Sequence, residues 1–328
     1  MNRKLKVLVT GANGLLGTNT IIELLSQGYY VKGFLRDKNS FVGGNHKYLE
    51  LFEGDILNNS DLNKAMLNCN YVVHTAGVTF QKFLKYNDYE KVNVQGTINV
   101  MEAALQNKLK KFIYVSTSNV FGFGSLNSLG DESIPMKLPF SKSLYAKSKQ
   151  KAQNYVMAKR NHIDVVIVNP TFMIGAFDNK LSSGKIILMA LKQHILLCPP
   201  GGKNFVCVQD VSKGIIGAIK YGVNGEAYLL ANQNLTFKAF FRIVKKQTKA
   251  KFIMLQLPKC MLMLLGYLGN CAIYFGLKTH FSVENMKCLC INNYYSNSKA
   301  AVELKMVFNT IENGITDAAD WFENSNKF

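Results

Sequence analysis

Residues 6–17 read KVLVTGANGLLG, and this stretch constrains the fold more than any other. A β-branched apolar run ends at Thr10. Glycines follow at 11, 14 and 17, and an apolar helical pattern opens behind them. Gly11 permits a tight turn, Gly14 lets backbone approach a pyrophosphate, and Gly17 lets helix and strand pack closely. The residues of the turn and first helical positions, Asn13, Leu15 and Leu16 among them, would offer free N–H groups and the helix dipole to phosphates. The context of strand, glycine turn and helix predicts a nucleotide site.

The rhythm of the first half agrees. Strand-like runs fall at 6–10, 30–35, 48–54, 71–76, 111–116 and 164–169, nearly continuous in apolar character, as in parallel strands buried on both faces. Amphipathic helical runs lie between them, one stopping at Gly28 and another opening on the capping residues of NNSDLNKAML. This predicts an α/β fold, a doubly wound parallel sheet of Rossmann type over residues 1–169. After Pro170 the elements shorten and loops interrupt them. Residues 170–328 read as a smaller substrate-binding region, of which about 205–231 is expected to return to the sheet. Thr236 is placed to cap a helix beginning LTFKAFF.

Lysine and arginine number 39 against 21 acids, a formal charge of +18. That favours anionic company. The cations are scattered in ones and twos, with no dense basic arm or aromatic-interleaved stripe, so no nucleic acid is expected. Seven cysteines show no C-x-x-C and no zinc spacing with histidine; reduced, mostly buried thiols and no metal are expected. The N-terminus enters a strand directly without a signal-peptide pattern, which points to a cytoplasmic protein. One stretch, 260–277, carries no charge between Lys259 and Lys278. A buried helix pair roofing an apolar pocket is the leading reading; peripheral contact with lipid is the alternative.

The end of the second strand, FLRDKN, bears on the nucleotide. A carboxylate there suits a ribose 2′-hydroxyl, and a cation suits a 2′-phosphate. Leu35 stands where the acid would be and Arg36 follows. NADP is therefore expected, with NAD as the alternative because Asp37 could itself reach a ribose.

Further motifs follow in order: GDI at 54–56, HTAG at 74–77, VNVQGT at 92–97, VSTSNVFG at 115–122, YAKSK at 145–149 and VNPTFMIG at 168–175. With the glycine turn, they identify the chain as resembling the extended short-chain dehydrogenases/reductases, the NAD-dependent epimerase/dehydratase superfamily. LRD, NPTFMIG and the late LTFKAFFRI and LPKCM are most similar to its dihydroflavonol-4-reductase and 3β-hydroxysteroid dehydrogenase-like branch. The resemblance implies that Gly11, Gly14 and Gly17 hold the pyrophosphate and that Asp55 and Ile56 sit at the adenine. It implies that Thr75, Ala76 and Gly77 line the cofactor through backbone, and that Pro170 and Phe172 lie near the nicotinamide. It also implies Tyr145 as the catalytic tyrosine, Lys149 as its lysine and ribose anchor, and Thr117 as the active-site hydroxyl. Asn93 matches an asparagine that supports a proton-relay water, His74 is structural, and a homodimer is an open expectation. A tyrosine of ordinary pKa ~10 is a poor acid or base at neutral pH, and a cation one helical turn away would lower it. Lys147 points elsewhere on that helix and reads as a solvated bystander.

Two departures narrow the chemistry. Ser118 and Asn119 follow Thr117 where sugar-nucleotide 4,6-dehydratases carry Asp-Glu. GGKNFVCVQDV offers only Lys203 where epimerases usually offer an arginine to a substrate diphosphate. The expectation is an NADP-dependent oxidoreductase acting on a carbonyl or secondary alcohol of a small apolar substrate. A sugar-nucleotide epimerase with tightly held NAD, and a non-catalytic NADP-binding sensor, are the competing readings.

Overall fold

The computed structural model describes residues 5–79, 85–277, 279 and 281–325. Six strands of the first half are β1 (Lys6–Thr10), β2 (Tyr30–Leu35), β3 (Leu49–Glu53), β4 (Tyr71–His74), β5 (Lys111–Val115) and β6 (Asp164–Pro170). Between them run α1 (Leu15–Ser26), α2 (Asn59–Met66), α3 (Tyr86–Tyr89), α4 (Gly96–Gln106) and α5 (Leu144–Ala158). A π-turn at Glu90–Gln95 joins α3 to α4, so the long helical run there is continuous but locally widened.

The second half contributes β7 (Phe172–Ile174), α6 (Lys185–Lys192), β8 (Ile195–Cys198), β9 (Gly202–Cys207), α7 (Val208–Tyr221), β10 (Glu226–Leu230) and β11 (Gln233–Thr236). Then come α8 (Phe237–Thr248), β12 (Ile253–Gln256), α9 (Lys259–Tyr274), α10 (Val283–Cys290), β13 (Asn292–Asn293), α11 (Ser298–Glu303) and α12 (Ile311–Asn324). The main sheet is parallel with order β10-β6-β5-β4-β1-β2-β3. Residues 226–230 of the second half thus form its edge beside β6. Smaller sheets unite β11, β9, β13 and β7, and pair β8 with β12.

Local chemistry explains these limits. After α1, Gly28 takes φ +80° and its N–H reaches Leu25 O, while Tyr29 N–H reaches Leu24 O, a left-handed helix stop. Asn58 caps α2 by accepting from Ser60 and Asp61 N–H, and Thr236 caps α8 by accepting from Ala239 N–H. The central strands bury both faces: Val7, Val9, Val73 and Ile113 fill one layer, and Leu8, Val72, Phe112 and Tyr114 the other. The first layer also holds Val211, Leu230 and Leu304, so the two halves share a core.

Two expectations are corrected. The 260–277 stretch is one helix, α9, followed by a turn, and only Leu262, Gly266 and Gly269 of it are buried. Met263, Leu265 and Ala272 are half-buried, and the rest of its apolar side chains are exposed. Lys278, expected to flank it, lies outside the described residues. The cysteines are all free thiols, but only Cys69, Cys198 and Cys207 are buried; Cys260 and Cys271 are exposed on α9.

Candidate active site

The strand order reverses at β1, which lies between β2 and β4. In open α/β sheets ligands settle at the C-terminal strand ends at such a point. The glycine turn occupies it. Gly11 has φ +73°, and a Cβ there would fall 2.8 Å from Ala76 N. A Cβ on Gly17 would fall 2.2 Å from the Gly11 carbonyl oxygen. Gly14 starts α1 with no side-chain cap, and Thr18 N–H is bonded back to Gly14 O at 2.9 Å. The amides of Leu15, Leu16 and Gly17 therefore have no acceptor within the helix. The Leu15 and Leu16 side chains are buried in the core, so only their backbone faces the turn. A tight turn, a close backbone and free helix N–H groups fit a dinucleotide pyrophosphate.

The end of β4 is fastened to this turn. Thr10 Oγ1 lies 2.7 Å from His74 Nδ1, and His74 Nε2 lies 2.9 Å from Thr97 Oγ1. Thr75 donates to Thr10 O at 2.6 Å, and Ala76 N–H donates to Thr10 Oγ1 at 3.3 Å. Burial, then the nearby Lys149 charge, pushes His74 down to about 3, so it is neutral. This sets the backbone of Thr75, Ala76 and Gly77 along the rim. Asn93, in the π-turn, spends its amide on Val78 N–H and C=O at 2.7 and 3.0 Å and on Ser148 Oγ at 2.9 Å. Its side chain ties α5 to the β4 rim. Ser148, which sequence reasoning passed over, is the bridge.

Helix α5 opens at Ser143, which accepts from Ala146 N–H. Tyr145 sits in its first turn, half-buried, with the Thr117 hydroxyl in hydrogen-bonding reach and the Tyr89 ring 6.3 Å away. Burial pushes the Tyr145 phenol up to about 12; the Thr117 hydrogen bond opposes this. Lys149, 5% exposed, donates to Val115 O at 2.6 Å and lies 4.3 Å from the centre of the Tyr114 ring. Burial lowers it to about 7. The space beside Gly77 opens toward its Nζ, 3.9 Å from where a Cβ would stand. Thr117 begins a short 3₁₀ turn at the end of β5, and Asn169 Nδ2 holds its carbonyl at 3.0 Å. Lys147 is exposed. Thr117, Tyr145 and Lys149 thus meet at one rim, where a proton could pass between a phenol and a ligand oxygen.

On the other side of the glycine turn from β4, Arg36 is exposed just after β2. Asp37 is turned away from a ligand role: it caps the Lys38–Ser40 turn by accepting from Asn39 N–H. Asp55 is exposed, with one carboxylate oxygen accepting from Leu57 N–H at 3.0 Å, and Ile56 is packed beneath it against Gly96. Lys180 belongs to no motif singled out above. Its ammonium crosses from the second half to donate to Asn13 Oδ1 at 2.9 Å, while Asn13 Nδ2 donates to Ser40 Oγ at 2.5 Å. Burial, then repulsion from Arg36, lowers its pKa. Among the described residues neither Arg36 nor Lys180 forms an ion pair. The loop bearing Lys180 is held hard: Phe177 and Leu181 take φ +69° and +51°, and buried Asp178 accepts from Ser182 and Gly184 N–H. Bulky residues in that region cost about 1–2 kcal/mol each. Pro170 ends β6, and the Phe172 ring lies 5.4 Å from Lys203 Nζ on the substrate side.

Residues 7–231 match the model of the NAD dependent epimerase/dehydratase family. The chain belongs to that family. It is an enzyme of the extended short-chain dehydrogenase/reductase type, NAD(P)-dependent as a class. Among this family's curated members, a Synechocystis sp. protein provisionally named dihydroflavonol 4-reductase is 27% identical, covering 96% of this chain and 94% of its own. A Mycolicibacterium neoaurum 3-beta-hydroxysteroid dehydrogenase is 28% identical over 67% of this chain and 62% of its own. The epimerase/dehydratase fold recurs in the crystal structure of gox2253, with TM-score 0.84, 26% identity and 98% and 99% coverage. It recurs also in a Bacillus cereus UDP-glucuronic acid 4-epimerase in complex with UDP-glucuronic acid and NAD, TM-score 0.77, 21% identity, with 98% and 100% coverage.

Proposed function

We propose that this family member is an NADP-dependent oxidoreductase acting between a carbonyl and a secondary alcohol of a small apolar substrate. The observation that carries the reading is the convergence of Thr117, Tyr145 and Lys149 at the rim beside the glycine turn. When bound, the nicotinamide supplies or accepts the hydride. The chain's own residues would handle the oxygen. Tyr145 gives its phenolic proton to the carbonyl oxygen in reduction and takes it back from the hydroxyl in oxidation. Thr117 holds that oxygen by a hydrogen bond and fixes its orientation. Burial lowers Lys149 to about 7; when it carries its proton, a cation one helical turn from Tyr145 would favour the phenolate. Asn93, through Ser148 and Val78, positions α5 against the rim.

The preference for NADP rests on Arg36 at the end of β2 and on Lys180, which bonds Asn13; among the described residues neither forms an ion pair, and the two repel each other where an adenosine ribose would lie. The 2′-phosphate suits both. Asp55 and Ile56 would border the adenine, and Pro170 and Phe172 the nicotinamide. Seven free thiols suit the cytoplasm, where we place the enzyme. The test is a panel of ketones, aldehydes and secondary alcohols followed by nicotinamide absorbance with NADPH and NADH in parallel. Turnover with NADPH that disappears in Tyr145→Phe supports the reading, and full turnover in that variant overturns it. Lys203 favours a second reading, a sugar-nucleotide epimerase, since a cation beside Phe172 could meet a substrate phosphate. Purified protein that carries NAD and consumes no added cofactor would establish that instead.

A further inference from the structure

The ribbon of β8 and β12 has aliphatic residues on both faces. Its register sets Ile195 beside Ile253 and Leu197 beside Leu255. Leu196 points inward and is buried, yet those four partners are 59, 71, 56 and 53% exposed. A ribbon packed on one side ordinarily turns polar residues to water. Helix α9 starts three residues after β12. Its small-residue side is welded to the turn and helix that follow: a Cβ on Gly266 would meet Val283, and one on Gly269 would strike the Phe281 carbonyl. Its other side leaves Leu264, Tyr267, Leu268, Tyr274 and Phe275 between 58 and 86% exposed. Exposed apolar surface on two elements only a short link apart marks a contact site.

The charge around it selects the occupant. Residues 185–203 and 232–283 contain no Asp or Glu. Exposed Lys192, Lys249 and Lys251 precede the two parallel strands at one end of the ribbon, and exposed Lys259 begins α9 at the other. The next acid along the chain, Glu284, already lies 3.9 Å from Lys142. A second copy pressed face to face would set lysine against lysine. A surface that is apolar within and negative at its boundary complements both features.

We propose that the face of β8, β12 and α9 seats on an anionic lipid bilayer, with α9 lying in the interfacial plane. At 16 residues α9 is too short to cross. Cys288 of α10 is close enough to influence Lys203, whose ammonium lies over Phe172, so under the proposed function the α9–α10 hairpin would border the substrate. An apolar substrate could then pass from lipid into the site; that extension rests on the proposed function, whereas the attachment does not.

The experiment is co-sedimentation of the full chain with vesicles of phosphatidylcholine, and of equal parts phosphatidylcholine and phosphatidylglycerol. Binding to the mixed vesicles is expected to exceed binding to phosphatidylcholine about tenfold or more and to weaken with salt. Leu264→Glu with Leu268→Glu, and separately Lys251→Gln with Lys259→Gln, should each lower it about tenfold or more while NADPH affinity stays unchanged. All four positions are exposed, so folding should survive. Equal binding by wild type and both variants, or no sedimentation with either vesicle, overturns the proposal. So does a dimer in light scattering that Leu264→Glu with Leu268→Glu dissolves. Vesicle binding with no carbonyl turnover would leave the attachment standing and remove the oxidoreductase reading.

Discussion

At the scale of single residues, Tyr145 and Lys149 feel burial in opposite senses, one raised to about 12 and the other lowered to about 7. The lysine's shift has a thermodynamic consequence. Its ordinary value is 10.5, so between about pH 7 and 10 the unfolded chain holds a proton the folded chain has released. Stability from this group therefore rises with pH across that window, by roughly 1.4 kcal/mol per unit. Urea midpoints compared near pH 7 and pH 9 should show that rise in the wild type and its loss in Lys149→Met. Tyr145→Phe should lower kcat by about 10²–10⁴ with NADPH affinity preserved, as titration of the free protein would show. Arg36→Ala and Lys180→Ala should each weaken NADPH about 10- to 100-fold and leave NADH nearly untouched. Equal losses for both nucleotides would move Lys180 from the 2′-phosphate to the pyrophosphate.

At the scale of elements, the glycine turn permits little change. Gly17→Ala places a methyl against the Gly11 carbonyl, a backbone atom that cannot turn aside. The variant should lose about 1–3 kcal/mol in denaturant melts and bind nucleotide weakly. This turn was readable beforehand because its meaning is local: three spacings fix a strand, a bend and a helix. Thr117, Tyr145 and Lys149 were readable through ordered motifs near strand ends. Lys180 was not, because its partner Asn13 is 167 residues distant and the left-handed Phe177 and Leu181 that aim it leave no compositional trace. The depressed lysine and raised tyrosine were missed for a related reason. Sequence spacing places a cation near a phenol, but only packing tells how much solvent each loses. For α9, apolar composition was plain, while the side that neighbours would cover was not. Asn93 shows the same limit: the resemblance matched it to an asparagine that supports a proton-relay water, but that its amide also ties Val78 to Ser148 was visible only in the structure.

At the scale of the whole molecule, Val7, Val9 and Val73 share one core layer with Val211, Leu230 and Leu304. Two regions with a common core should melt together. Calorimetry is expected to show one transition, and NADPH at about 100 times its Kd should stabilise that transition by about 2.7 kcal/mol. Two separated peaks, only the first responding to nucleotide, would contradict this.

The placement of β10 at the edge of the main sheet also bears on biosynthesis. Strand β6 is finished at residue 170, yet its outer neighbour ends at residue 230. A chain emerging from the ribosome therefore carries an open parallel edge until some sixty more residues have followed. Unpaired edges invite foreign strands. Premature stops between these positions should yield chains that aggregate, and the interval is one in which a chaperone has something to hold.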